Sequence, residues 1–307
     1  MKNIAIIGAG AMGSVYAALM ADSGLNVFAI DRWAEHIEAI NASGLRLEGA
    51  SGDRTVTSIT AATSLDDIAP CDLYIIATKA DGVADAAKLV STHMRDDSLV
   101  LTIQNGLGAG ERIAQHMDTG NVLLGVAEGF GASMKGAGHA HHNNMKQIRI
   151  GEMNGGETER LDALVALWRN AGFNANGFGD IHQLIWEKFL CNVFLSAPCT
   201  VFECQIKGIL DNPENLEVAL GCMREAYLAG KAKGINFSFD DPDAYAISFA
   251  SAMPEANPSM RLDHLAQRKS EIDAINGMVP VVCAEEELSA PYNQTLAAIV
   301  RQKEARF

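Results

Sequence analysis

The first residues with recognisable chemistry form a glycine-rich hexapeptide near the start of the chain. Gly8, Gly10 and Gly13 complete the pattern G-x-G-x-x-G between an apolar run and a helical segment. In this setting the first glycine permits a tight turn, the second lets a pyrophosphate approach the backbone, and the third lets the helix pack on the strand. The free N–H groups at the helix start favour phosphate. The hexapeptide, which also contains Ala11 and Met12, therefore predicts a dinucleotide cofactor.

Two neighbouring residues of opposite charge follow the second predicted strand. Asp31 stands where a carboxylate can accept hydrogen bonds from the adenosine ribose, which favours NAD. Arg32 could instead bind the 2′-phosphate of NADP. The residues alone leave the choice between the two cofactors open.

Two further polar tripeptides, Thr78-Lys79-Ala80 and Gln104-Asn105-Gly106, each follow a predicted strand. Ligands of open α/β sheets bind at the carboxyl ends of the strands. Lys79 offers a cation there, and Asn105 offers both a hydrogen-bond donor and an acceptor. Both are therefore candidates for contact with the cofactor, and either could also be an ordinary loop residue.

A polar stripe follows one face of an apolar helix later in the chain. Lys188, Asn192 and Ser196 are spaced four residues apart, and the residues between them are largely apolar. A partly buried lysine in such a stripe can serve as an acid or a base. The alternative is a lysine whose stem packs on the helix while its head stays in water.

A last polar group lies near residue 260. Ser259 can cap a helix, which the pattern predicts over Leu262 to Ile275. Glu271 and Asp273 would then be surface acids on that helix.

A histidine cluster is the one hint of a metal site. His139, His141 and His142 are surrounded by glycines and asparagines, with no cysteine or carboxylate at ligand spacing. We therefore expect no metal site, and we interpret the cluster as part of a short edge strand.

The pattern of elements predicts an α/β fold: a Rossmann-type dinucleotide-binding domain, residues 1–179, followed by an all-helical C-terminal domain, residues 180–307. Strands alternate with helices as far as residue 127, which is typical of a parallel sheet covered on both faces. Glycine-rich extended segments between Gly129 and Gly151 suggest an antiparallel edge. The predicted strands are 3–7, 26–30, 73–78, 99–103 and 122–127, and the predicted helices are 11–21, 34–41, 83–94, 107–117, 181–195, 216–233, 243–253, 262–275 and 295–304.

Composition narrows the class of protein. The net charge of −14 opposes nucleic-acid binding, and the six cysteines contain no C-x-x-C pair, which favours reduced core thiols in a cytoplasmic protein. No segment reads as a signal peptide or a membrane span. An anionic substrate would need a local cation in its own pocket.

Taken together, these motifs resemble the ketopantoate reductase family over essentially the whole chain. The specific ones are Thr78-Lys79-Ala80, Gln104-Asn105-Gly106, Trp186-x-Lys188-x-x-x-Asn192, Pro258-Ser259-Met260 and Glu271-Ile272-Asp273-x-Ile275-Asn276-Gly277. The resemblance implies NADPH-dependent reduction of 2-dehydropantoate (ketopantoate) to pantoate, in pantothenate biosynthesis. It implies that Lys188 is the general acid and that Glu271 binds the substrate hydroxyl. It also implies that Asn105, Asn192 and Ser259 contact substrate or cofactor.

Two positions depart from the family pattern. Ser196 stands where the family has a second asparagine, so the substrate pocket is expected to be roomier and less selective. Asp31 before Arg32 argues against NADP. On balance the sequence favours NADP(H), with NAD(H) as the alternative.

We accordingly expect a reductase whose small 2-oxo acid lies between the nicotinamide and the Lys188 helix, with Glu271 also near the cofactor. The alternatives are a reductase of another 2-oxo acid or an imine, and a non-catalytic dinucleotide sensor. Neither nucleic acid nor membrane is an expected partner, and a homodimer is compatible with the sequence.

Overall fold

The computed structural model describes all 307 residues and divides into two compact units. Unit 1 comprises Met1–Gln104 and Ala109–Ile181, and unit 2 comprises Asn105–Gly108 and His182–Phe307. The sequence predicts a single boundary near residue 179. The structure adds a detail that the pattern does not contain, because the short segment after the strand at Leu99–Ile103 groups with the helical unit.

Unit 1 is built on one ten-stranded sheet. Its strands are β1 (Asn3–Ile7), β2 (Asn26–Ile30), β3 (Leu45–Gly49), β4 (Arg54–Val56), β5 (Ile59–Ala62), β6 (Leu73–Ile76), β7 (Leu99–Ile103), β8 (Val122–Gly136), β9 (His139–Glu152) and β10 (Ala175–Gly177). Its helices are α1 (Ala11–Asp22), α2 (Ala34–Ser43), α3 (Val83–Ser91), α4 (Ala109–Ala114) and α5 (Glu159–Asn170). The strand order is β4-β3-β9-β8-β7-β6-β1-β2-β5, with β10 beside β9.

The parallel centre of this sheet brings the predicted cofactor residues to one edge. Strand β1 is apolar along almost its whole length and pairs in parallel with both β2 and β6, as expected for a strand buried on both faces. In this register Ile7 lies beside Ile30 on one side and Ile76 on the other. The residues that follow these three strands, among them Gly8 and Asp31, therefore leave the sheet at the same edge.

The antiparallel pair formed by the segment between Gly129 and Gly151 is not at the edge of the sheet, which corrects the sequence prediction. Strands β8 and β9 pair over most of their length, so β8 runs well past the predicted end at Ala127. Beyond them, β3 adds in parallel to β9, and β4 forms the edge. The histidine cluster thus lies on an interior strand, where Nε2 of His139 is 3.2 Å from Oε2 of Glu48 on β3.

Unit 2 is entirely helical, as predicted. Its helices are α6 (Ile181–Val201), α7 (Ile206–Leu210), α8 (Pro213–Ala232), α9 (Pro242–Ser251), α10 (Ser259–Leu265), α11 (Val279–Glu285) and α12 (Pro291–Glu304). Helix α6 is long and apolar enough to cross a membrane, with a mean hydropathy of 1.2, although the sequence pattern predicts no membrane span. Because 78% of this apolar stretch is buried inside the protein, α6 has the character of a core helix in a folded domain.

The helix predicted over residues 262–275 is wrong in its second half. Helix α10 ends at Leu265, where the N–H of Arg268 donates to the carbonyl of Asp263 and Gln267 adopts a φ of +52°. This geometry is a Schellman helix end, which usually has glycine in the left-handed position. Since glutamine occupies that position here, the sequence carries no stop signal. Glu271 therefore lies before a short 3₁₀ turn, Ile272–Ala274, rather than on a helix.

Candidate active site

The glycine turn joins β1 to α1 as the motif predicts. Gly8 has a φ of +95°, and a Cβ there would lie 2.7 Å from the backbone nitrogen of Thr78. A Cβ on Gly13 would overlap the carbonyl oxygen of Gly8. A Cβ on Gly10, in contrast, would meet nothing within 4 Å. Two of the glycines are thus needed for the fold, whereas the third keeps open space in front of the backbone.

That open space has the properties of a phosphate site. Helix α1 begins after Gly10 and has no side chain capping its first turn, so the N–H groups of Ala11, Met12 and Gly13 have no partners within the helix. The hydroxyl oxygen of Thr78 is buried without a hydrogen-bond partner. Free N–H groups at a helix start, an uncapped turn and an unsatisfied hydroxyl fit the diphosphate of a dinucleotide.

A cavity of about 310 Å³ lies at the ends of β1 and β2. Its lining includes Gly8, Asp31, Arg32 and Asp85. Asp31 accepts a hydrogen bond from the backbone of Trp33 through Oδ1, at 3.0 Å. The guanidinium of Arg32 is 3.3 Å from a carboxylate oxygen of Asp85. The structure thus brings the two predicted cofactor residues to one cavity and adds an acid from α3.

A buried histidine supports the glycine turn through hydrogen bonds. His36 accepts a hydrogen bond from the backbone of Gly138 at Nδ1, at 2.9 Å, so a neutral ring carries its proton on Nε2. Nε2 is 3.3 Å from the hydroxyl of Ser14, which donates to the carbonyl of Ala9 at 2.8 Å. Burial lowers the pKa of His36, and the charge of Asp31 acts in the opposite direction. No sequence pattern indicates this link, because its residues are far apart in the chain.

Lys79 and Gln104 lie in the segments that follow two neighbouring strands of unit 1, β6 and β7. Lys79 is exposed and precedes a 3₁₀ turn, Ala80–Gly82. The side-chain amide of Gln104 donates to the carbonyl of Thr78 at 3.0 Å. Gln104 thus holds the end of one strand against the next, a role that the sequence analysis did not assign.

The loop that carries Asn105 packs on the turn that carries Glu271. The N–H of Leu107 donates to the carbonyl of Ala274 at 3.0 Å. Gly106 has a φ of +78°, and a Cβ there would overlap the same carbonyl oxygen. Only glycine allows this close approach, which explains both the Asn-Gly pair and the grouping of this loop with unit 2.

Three of the predicted site residues meet in unit 2. Lys188 Nζ donates to Oδ1 of Asn105 at 3.0 Å, and Nδ2 of Asn105 donates to Oε2 of Glu271 at 3.3 Å. The amide orientation is determined by these partners, since an ammonium only donates and a carboxylate only accepts. All three side chains are half-buried. The arrangement holds a cation and an anion on either side of one amide, a geometry suited to a proton donor kept in a defined place.

The remaining predicted substrate residues are placed less uniformly. Asn192 follows Lys188 by one turn on α6 and is half-buried, whereas Ser196, one turn further on, is only 3% exposed. Ser259 is exposed, and it is the first residue of α10, not its cap. The capping prediction for Ser259 is therefore wrong. The substrate roles of Asn192, Ser196 and Ser259 stay predictions.

Asn276 is a further functional candidate, whose role does not follow from the sequence pattern. Its side chain accepts from the N–H of Ala197 at 3.2 Å and donates to the carbonyl of Val193 at 2.9 Å, two groups that a regular helix pairs with each other. Nδ2 also donates to Asn293, which in turn donates to the buried carboxylate of Glu225. This network ties the turn after Glu271 to the helix of Lys188.

Comparison with known families now places the chain. The model described as ketopantoate reductase PanE/ApbA matches residues 4–155, and the model of the ketopantoate reductase C-terminal part matches residues 180–304. The chain belongs to the ketopantoate reductase family. It is an oxidoreductase, and the resemblance inferred from the motifs is confirmed.

Relatives within the family match over nearly their full length. The 2-dehydropantoate 2-reductase of Pyrococcus abyssi is 29% identical, with 99% of this chain and 98% of the relative covered. A crystal structure of 2-dehydropantoate 2-reductase from Geobacter metallireducens is 29% identical, with a TM-score of 0.89 over 98% of this chain and 99% of that one. A D-mandelate dehydrogenase solved with NADH and anilino(oxo)acetate has a TM-score of 0.89 at 24% identity, over 99% of this chain and 98% of that one, and shows a shared fold.

Proposed function

We propose that the protein reduces a 2-oxo acid to the corresponding 2-hydroxy acid with NAD(P)H, that the substrate is 2-dehydropantoate, and that Lys188 donates the proton. The observation that carries this proposal is the contact of Lys188 with Asn105 and of Asn105 with Glu271. The names of the full-length relatives support the choice of substrate.

The glycine turn and the cavity beside it would hold the cofactor, through the first-turn N–H groups of α1 and the residues at the end of β2. A bound nicotinamide supplies the hydride for such a reduction. The remaining work falls to side chains of unit 2. The ammonium of Lys188 stabilises negative charge that develops on the substrate carbonyl oxygen and gives that oxygen its proton.

Asn105 and Glu271 keep this proton donor in position. The amide oxygen of Asn105 accepts one of the three protons of the Lys188 ammonium. The carboxylate of Glu271 orients the amide, and it can accept a hydrogen bond from a substrate hydroxyl. Loss of either residue would leave Lys188 without this support.

The direct test follows the loss of NAD(P)H absorbance with a panel of 2-oxo acids. The panel contains 2-dehydropantoate and several acids with smaller and larger side chains, with no-acid reactions as the control. We expect the highest kcat/KM with 2-dehydropantoate. Cofactor binding without turnover of any acid would contradict the proposal and favour a sensor, and a higher kcat/KM with another acid would reassign the substrate.

A further inference from the structure

The rim of the dinucleotide cavity carries more negative than positive charge. Asp31 and Asp85 contribute two carboxylates, and Arg32 is the one cation in its lining. Asp31 directly follows the last residue of β2, whereas Asp85 lies on α3. The two acids therefore approach the cavity from different elements, with the guanidinium of Arg32 directed to Asp85.

The two forms of the cofactor make opposite demands on this rim. A phosphate monoester carries a charge of about −1.5 to −2 at pH 7 and needs cations around it. A ribose with a free 2′-hydroxyl needs a hydrogen-bond acceptor, which a carboxylate at the end of the second strand provides. Only Oδ1 of Asp31 is used within the protein, in its bond to Trp33.

We infer that the cavity selects NADH over NADPH, and that Asp85 is a specificity-determining residue because it places a second carboxylate beside the one arginine that could hold a 2′-phosphate. This inference rests on the proposed function, in which the cavity binds a nicotinamide dinucleotide. It reverses the preference for NADP(H) that the family resemblance suggests. Asp31 is the hydrogen-bond acceptor for the ribose hydroxyl, and the charge of Asp85 disfavours a 2′-phosphate beside Arg32.

The size of the effect follows from the exposure of the ion pair. The side chains of Arg32 and Asp85 are 87% and 71% exposed, so their pairing is weak and Arg32 can be drawn away from it. What opposes a phosphate is the charge of both carboxylates on the rim. Removal of Asp85 alone should therefore improve NADPH binding by only about two- to fivefold, and removal of Asp31 should also weaken NADH.

The test is a fluorescence titration of NADH and NADPH, without substrate, against five proteins: the wild type, Asp85→Asn, Asp31→Asn, the double variant of Asp85→Asn with Arg32→Ala, and the control Glu38→Gln. Glu38 is exposed on α2 outside the cavity lining, and its substitution changes the net charge by the same amount. We expect the wild type to bind NADH at least about ten times more tightly, a difference of 1.4 kcal/mol. Asp85→Asn should tighten NADPH alone, and Arg32→Ala added to it should abolish that gain.

Several outcomes would overturn the inference. Tighter binding of NADPH by the wild type would show that Arg32 holds the phosphate despite its neighbours. An unchanged NADPH constant in Asp85→Asn, or an equal change in Glu38→Gln, would remove the role of Asp85. If neither cofactor binds, the proposed function fails and the inference fails with it.

Discussion

The two units build their functional surfaces from different parts of the chain. Unit 1 presents backbone: the turn from Gly8 to Gly13 is six consecutive residues that expose N–H groups at a helix start. Unit 2 presents side chains. Its two central hydrogen bonds join residues that are separated by 83 positions in one case and by 166 in the other. A backbone site of this kind is determined by residues that are adjacent in the sequence, whereas the side-chain site forms only when the helices pack together.

The largest effect should come from the side-chain site. Lys188→Ala is expected to lower kcat by about 10²–10⁴-fold, because a positioned proton donor contributes that much. The dissociation constant of the cofactor should stay unchanged, since the phosphate site lies in unit 1. Steady-state kinetics give kcat, and fluorescence titration of the same preparation gives the dissociation constant of the cofactor. Lys231→Ala, at an exposed lysine of α8, is the control, and near wild-type turnover of Lys188→Ala would refute the assignment.

The backbone site should respond in the opposite way. Gly10→Val places a side chain in the open space before the turn, so the cofactor should bind at least about tenfold more weakly, a loss of 1.4 kcal/mol or more, while the fold survives. Gly13→Ala should instead lower the melting temperature, because its Cβ overlaps the carbonyl of Gly8. Equal cofactor constants in wild type and Gly10→Val would contradict a phosphate site at this turn.

The buried amide network of unit 2 offers a test whose main readout is stability. Asn276→Ala leaves the carbonyl of Val193 and the N–H of Ala197 without their partner. Unsatisfied buried groups of this kind should cost about 2–4 kcal/mol of unfolding free energy, measured in urea. Turnover should fall as well, with cofactor binding unaffected. The exposed Asn236→Ala is the control, and a loss of stability with normal turnover would limit Asn276 to a purely structural role.

The smallest effect should be a pH dependence in unit 1. Because the folded pKa of His36 is below the usual value of about 6.5, the unfolded chain binds more protons at mildly acidic pH. His36 therefore lowers stability as the pH falls below about 6.5, and cofactor affinity should fall with it. Asn at this position can still accept from Gly138 but does not titrate, so His36→Asn should flatten both profiles. An unchanged slope in that variant would exclude His36 as the titrating group.

Much of unit 1 could be predicted from sequence because its signals are local. Apolar runs, and the residues that end them, predict the glycine turn and the strands β1, β2 and β7. The short strands β3 to β5 escaped prediction, because polar residues interrupt their apolar positions and none of them forms a continuous apolar run. Asp85 also escaped, because nothing in a helical sequence indicates which cavity a surface acid borders.

Unit 2 shows the converse. Helices α6, α8, α9 and α12 could be predicted from periodicity, whereas the short helices α7 and α11 escaped prediction. Lys188 stands out as a polar residue on an apolar face. The meeting of Lys188 with Asn105 and Glu271 could not be predicted from spacing, and only the family resemblance names all three. The helix end at Gln267 was hidden because a glutamine occupies a position that usually holds glycine. Local rules thus found the elements but not their contacts.

The most direct test of the account is a double-mutant cycle between Lys188 and Asn105, read as kcat/KM for 2-dehydropantoate. If the two residues act as one unit, Lys188→Ala and the double variant with Asn105→Ala should be equally slow, because Asn105 works by holding Lys188. Fully additive losses would contradict the account, since they would mean that Asn105 serves the reaction independently of the lysine that it contacts.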